Sequence, residues 1–154
     1  MSSPGHGRST RPPLIALVHR ANRELQADMA RHARAAGYEK AKLAHNSVFG
    51  TLPFSGARSA DLAVWAGVTR QSMGEVIRDL VALGTVTMTT DPDDRRAKLV
   101  TYTEAGLKQV QEGMAHIADF DRRMIAALGE EGYEGLRHGL DMIVEILKED
   151  APSD

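Results

Sequence analysis

The segment Asp91-Pro92-Asp93-Asp94-Arg95-Arg96-Ala97-Lys98-Leu99-Val100-Thr101-Tyr102-Thr103-Glu104-Ala105-Gly106 constrains this chain more than any other. Val86 to Thr90, just before it, and Leu99 to Thr103, within it, are rich in β-branched residues, so the charged stretch between them reads as a hairpin tip. Thr103 is placed to cap a following helix, with Glu104 in the first turn where the helix dipole favours a carboxylate. A ribbon with adjacent guanidinium groups at its tip, Arg95 and Arg96, is poorly suited to a core. It suits the negative potential of a nucleic-acid groove. Asp93 or Asp94 is placed to pair with one arginine and stiffen the tip, leaving the other arginine free.

Two short helices are expected before the hairpin. Ser59 is a candidate N-cap for the first, with Leu62, Ala63 and Ala66 facing inward. Gly67-Val68 makes the corner, glycine supplying the left-handed backbone that a tight turn needs. Thr69 caps the second helix, which runs to about Leu83 and is ended by Gly84. At about 100° per residue, Met73, Val76, Ile77 and Leu80 share one side while Gln71, Glu75 and Arg78 share the other. Such a helix-turn-helix offers the outer face of its second helix to a DNA major groove. Arg70 and Gln71 carry donors for bidentate bonds to purines, Thr69, Ser72 and the helix N-terminus suit phosphates, and Arg78 falls in or beside the groove. A helical hairpin with a solvated polar face is the plain alternative. Trp65, beside the corner, reads as a packing residue under the lobe.

The flanks read as helices. Pro12-Pro13 opens one whose stripe includes Leu14, Leu17, Val18, Ala21 and Leu25, with Gly37 as its stop. A second is expected from about Glu39 to Phe49, followed by a loop from Gly50 to Gly56. After Thr103 the stripe is Leu107, Val110, Met114, Ile117, Asp121, Met124 and Leu128; Gly129 to Gly132 breaks it, and Leu136, Leu140, Ile143, Val144 and Leu147 mark a last helix. Three long amphipathic helices have little else in 154 residues to cover them, which favours a dimer interface over an intramolecular bundle.

Charge is unevenly spread. The formal net charge is −2, but residues 1–40 carry seven Lys/Arg against three Asp/Glu, and residues 103–154 carry five against twelve. Residues 57–102 carry six of each sign, so basic groups there must be placed well rather than be plentiful. The chain has no cysteine, no run of about 18 apolar residues and no apolar signal segment, and a cytoplasmic bacterial protein is expected. Glycine-rich phosphate loops, a nucleophile elbow and a cysteine–histidine pair are absent, so an enzyme is not expected. The histidines His6, His19, His32, His45, His116 and His138 show no close metal-ligand spacing, and no metal or other cofactor is expected.

Ser59-Ala60-Asp61-Leu62-Ala63 resembles the first motif helix of the MarR family of transcription regulators, and Val68-Thr69-Arg70-Gln71-Ser72-Met73 resembles the start of its recognition helix. Asp91 to Val100, followed by Thr103-Glu104-Ala105-Gly106, resembles its wing nearly residue for residue. The flanking helices agree only in order and length. The resemblance implies a mainly α fold with a small β-wing, a winged helix-turn-helix in an intertwined helical homodimer. Its parts would be a disordered tail (1–12), N-terminal dimerisation helices (13–50), the DNA-binding lobe (51–102) and C-terminal dimerisation helices (103–154).

Functionally the resemblance implies a repressor that binds double-stranded DNA at a palindromic operator. A small-molecule effector, lodged between the dimerisation helices and the lobe, would release it. His19 and His45 lie on helices bordering that pocket and are placed to hydrogen-bond a phenolic or anionic effector. Two positions depart from the family pattern. Glu75 puts a carboxylate mid-face on the recognition helix, where it repels phosphate or accepts from a cytosine amino group. Gly74 costs that helix about 1 kcal/mol relative to alanine. These departures motivate a second reading, a protein-interaction module on the same fold that has lost DNA binding.

Overall fold

A computed structural model describes residues 11–149, so His6 and most of the expected tail lie outside the described residues. The chain divides into two compact units, one ending at Gly113 and one starting at Met114.

The first unit opens with α1 (Leu14–Ala35), led in by Pro13 in an extended conformation. Only Ala30 of this helix is buried; Leu14, Ile15, Leu17, Val18 and Leu25 are exposed. The helix expected from Glu39 to Phe49 is shorter than its sequence suggested. A 3-10 turn at Leu43–His45 leads into α2 (Asn46–Phe49), and Lys42 before it is extended, with φ −119° and ψ 154°. Glu39-Lys40-Ala41-Lys42 has no apolar face to hold a helix against the core, so local propensity alone does not form one.

Next come β1 (Ala57–Arg58), α3 (Ser59–Ala66) and α4 (Arg70–Ala82), then β2 (Val86–Thr90) and β3 (Lys98–Tyr102). The three strands form an antiparallel sheet in the order β1-β3-β2, with Ala57 opposite Val100 and Met88 also opposite Val100. The two-residue β1 is too short to leave a periodic signal and was not expected. The N-cap position of α3 falls on Arg58 rather than Ser59, without a side-chain cap. Gly67 ends α3 at φ 64° and ψ 31°, the left-handed corner expected there.

The core of this unit gathers Val48 and Leu52 after the 3-10 turn, Leu62 and Ala63 of α3, Met73, Ile77 and Leu80 of α4, and Val86, Val100 and Tyr102 of the hairpin. The inward side expected for α4 is therefore the buried one. Trp65 corrects the sequence reading: it is 57% exposed. The inward arc of α3 is set by Leu62, Ala63 and Ala66, and at about 100° per residue Trp65 falls outside it.

Tyr102 stacks on Phe49, ring centroids 6.4 Å apart, yet its buried hydroxyl has no hydrogen-bond partner among the described residues. Burial pushes that hydroxyl up to about 12. The unfolded chain ionises near pH 10, so this tyrosine's contribution to stability is intact below pH 10 and is lost as pH climbs to about 12. Tyr102→Phe is expected to stabilise the protein by about 1 kcal/mol at pH 8, because it removes an unsatisfied buried donor. The gap should widen at pH 11, where wild type alone loses this contribution. Urea unfolding at both pH values checks this, and an unchanged gap would show that Tyr102 is not the titrating group.

In α5 (Glu104–Glu149), Thr103 accepts the N–H of Gly106 through Oγ1 at 3.0 Å, the cap its sequence suggested. Gly106 is the only buried residue of α5. The helix is interrupted at Gly129 (φ 74°, ψ 164°), a region open essentially to glycine; the expected break from Gly129 to Gly132 is confined to that residue. No described residue from Met114 onward is buried, and the second unit leaves Met114, Ile117, Leu128, Leu136, Leu140, Val144 and Leu147 exposed. Among the described residues, no helix is long and apolar enough to cross a membrane.

Candidate nucleic-acid interface

The outer face of α4 is built by its cap. Thr69 is extended, with φ −68° and ψ 153°, and its Oγ1 accepts the N–H of Ser72 at 3.1 Å. This fixes the first turn and leaves Thr69, Arg70, Gln71 and Ser72 exposed together. One turn on, the Gln71 amide donates to Glu75 Oε1 at 3.2 Å, so the carboxylate noted in the sequence engages the neighbouring exposed amide. Arg78 is exposed too, and its Nη1 lies 3.4 Å from where a side chain on Gly74 would begin. The glycine leaves space along which this guanidinium lies.

The wing tip is a hydrogen-bonded turn. Asp91 N–H donates to the Ala97 carbonyl at 3.1 Å, and Ala97 N–H donates to the Asp94 carbonyl at 2.9 Å. Among the described residues no non-glycine φ is positive and no peptide is cis, so the Asp94–Ala97 turn is of the type I kind with Arg95 and Arg96 at its centre. Asp94 Oδ1 also accepts the Arg96 N–H at 3.0 Å, the side-chain bond by which aspartate favours such turns. Both arginines are exposed, and among the described residues neither guanidinium has an ion-pair partner.

The expected pairing of Asp93 or Asp94 with a tip arginine is replaced by a different one. Asp91, 5% exposed, accepts Arg58 Nε and Nη2 on one carboxylate oxygen, at 2.8 and 2.6 Å, and the Asp93 N–H on the other at 2.9 Å. The Asp93 N–H first and Arg58 second hold this carboxyl below its ordinary range. Asp94 Oδ2 stands 3.7 Å from the same guanidinium. Asp93 contributes its backbone N–H and keeps an exposed side chain. Arg58 and Asp91 are 33 residues apart, and no spacing rule joins them; the only signal was a cation directly before a helix start and an acid at a hairpin base.

The two effector candidates are in different settings. His19 is exposed on α1. His45 is 2% exposed; its Nδ1 accepts the Lys42 backbone N–H at 3.3 Å, and its Nε2 lies 2.7 Å from Asp79 Oδ2. That geometry fits a neutral imidazole donating from Nε2. Lys42 Nζ reaches the same Asp79 oxygen at 2.8 Å, and Lys42 first and His45 second hold the Asp79 carboxyl low. His45 lines a cavity of about 310 Å³ with Tyr38, Lys40, Leu80, Thr85 and Gln109; His19 does not.

No protein-family profile matches the chain. Uncharacterized proteins of Mycobacterium bovis and Mycobacterium tuberculosis are 29% identical over 86 residues, which is 56% of this chain. The match spans 60% of the length of those relatives. Among solved structures, an S. aureus MepR–DNA complex superposes with a TM-score of 0.72 at 16% identity, covering 89% of this chain and 99% of that one. The transcriptional repressor CouR, bound to a 23-mer DNA duplex, gives 0.68 at 20% identity over 86% and 92%. Apo MarR from E. coli gives 0.68 at 18% over 88% and 98%. In its helix order, its left-handed corner at Gly67 and its three-stranded wing, this chain has the winged-helix fold of the MarR regulators.

Proposed function

We propose that this protein is a MarR-type transcription regulator, a homodimeric repressor that occupies a palindromic operator and is released by a small phenolic or anionic effector. The observation that carries the reading is the pair of unengaged tip guanidiniums, Arg95 and Arg96, displayed from the same lobe as the capped outer face of α4. Thr69, Arg70, Gln71, Ser72 and Arg78 read or grip the major groove, and the tip arginines enter the adjacent minor groove. MepR and CouR, with the same fold, are described bound to DNA. A second copy is the natural cover for a unit with no buried residue among those described and for the exposed stripe of α1, and a two-fold dimer sets two recognition helices about 34–36 Å apart. The cavity beside His45 is the effector site this reading assigns.

Fluorescence anisotropy with fragments of the host genome, repeated at several salt concentrations, tests the proposal. Binding through about four or more phosphates should fall steeply with salt, with a log–log slope of about −0.9 per contact. Affinity that ignores salt, or no binding to any fragment, would favour instead the protein-interaction module that Glu75 suggests.

A further inference from the structure

The ion pair at the base of the wing has a consequence for how the two DNA-facing elements act together. Arg58 belongs to β1, opposite Leu99 of β3, and directly precedes Ser59, the first residue of α3. Its guanidinium grips Asp91 through two N–H groups and stands near Asp94, whose carbonyl and carboxylate build the turn around Arg95 and Arg96. One side chain therefore links the start of the helix-turn-helix to the base of the wing. We propose that Arg58 is a positioning residue: it holds the wing at a fixed offset from α4, so that both elements meet one duplex without ordering the ribbon first.

The physical case rests on burial and entropy. Asp91 is nearly inaccessible to water, and a buried carboxylate stripped of its cation is strongly disfavoured, so losing Arg58 drives the Asp91 segment to rearrange towards solvent. The Asp93 N–H bond to Asp91 and the register of the tip depend on that segment. A wing already in place binds without the cost of immobilising it, and two contacts on one rigid lobe reinforce each other as linked sites do. Lysine at 58 keeps the charge but offers a point donor in place of the planar fork that now supplies Nε and Nη2 together, so it restores the hold only in part.

This inference rests on the DNA-binding reading, and the test separates the two. In anisotropy with a bound genomic fragment, Arg58→Gln should weaken affinity about tenfold, and Arg58→Lys about threefold, against an expected loss on the order of a hundredfold for the double change Arg95→Ala/Arg96→Ala. Added to that double change, Arg58→Gln should cost nothing further, since there is no tip cation left to position. A full further tenfold loss would show an independent contact and overturn the proposal.

Trypsin supplies a readout that needs no DNA, because it cuts after Arg95 and Arg96. With the fold intact by circular dichroism, Arg58→Gln should speed cleavage at these two sites several-fold over cleavage in α4. Unchanged tip cleavage overturns the proposal. If wild type binds no fragment, the DNA-binding reading fails, while cleavage still decides whether Arg58 holds the wing.

Discussion

Replacing Arg95 and Arg96 together by alanine should weaken DNA binding on the order of a hundredfold while moving the melting temperature by about 2 °C or less. Each side chain lost from a groove or phosphate contact is worth about 1–3 kcal/mol, and about 1.4 kcal/mol is tenfold in affinity. The small stability effect follows from exposure: neither guanidinium has an ion-pair partner among the described residues, and the turn is held by the Asp94 carbonyl and carboxylate together with Asp91. Surface changes of this kind stay within about 0.5 kcal/mol. The salt slope should flatten by about 0.9 for each phosphate contact removed. Arg122→Ala, on the exposed pair with Asp119 in the second unit, serves as the control and should change neither quantity appreciably. Wild-type affinity in the double variant would remove the wing from the interface.

Gly106→Ala should have the largest effect on stability. A methyl at this buried position would overlap the Thr85 carbonyl oxygen and sit 2.9 Å from its carbon and 3.3 Å from Tyr102 Cδ1. That carbonyl accepts both the N–H and the hydroxyl of Thr103, at 3.1 and 3.2 Å, so displacing it also disturbs the cap of α5. Overpacking against backbone costs about 1–3 kcal/mol or more. For a chain of this size that is a fall of about 2–12 °C in melting temperature. Gly113→Ala, seven residues along the same helix, should go the other way by up to about 1 kcal/mol, since its methyl would meet only Met29 Cε at 3.7 Å while helix propensity improves. Calorimetry on the two variants decides it; equal shifts would show that the contact at Thr85 does not govern the outcome.

Local rules located most of the winged-helix lobe. The β-branched runs marked both hairpin strands to within a residue, because strand preference and the charged tip agree there. Thr69, Gly67 and the spacing of Met73, Ile77 and Leu80 likewise fixed α4, where cap, corner and buried face all point the same way. What escaped depends on tertiary partners. The Arg58–Asp91 pair forms only once the sheet brings β1 beside β3, and β1 is too brief to show a period. Trp65 was misjudged because aromatic size suggests burial, whereas α3 spends its short inward arc on Leu62, Ala63 and Ala66. The segment before α2 lacks an apolar face to hold a helix, and its Lys42 and His45 side chains meet Asp79 of α4, a contact between groups far apart in sequence.

That outward-facing indole also sets how the protein can be watched. Trp65 is the sole tryptophan and already sits in water, so its emission in the native state should lie near the red end of the usual range and shift little on melting. A thermal scan read by intrinsic fluorescence would therefore look nearly featureless for a well-folded sample. Far-ultraviolet dichroism, dominated by the long α1 and α5, is the optical signal that follows loss of the native chain.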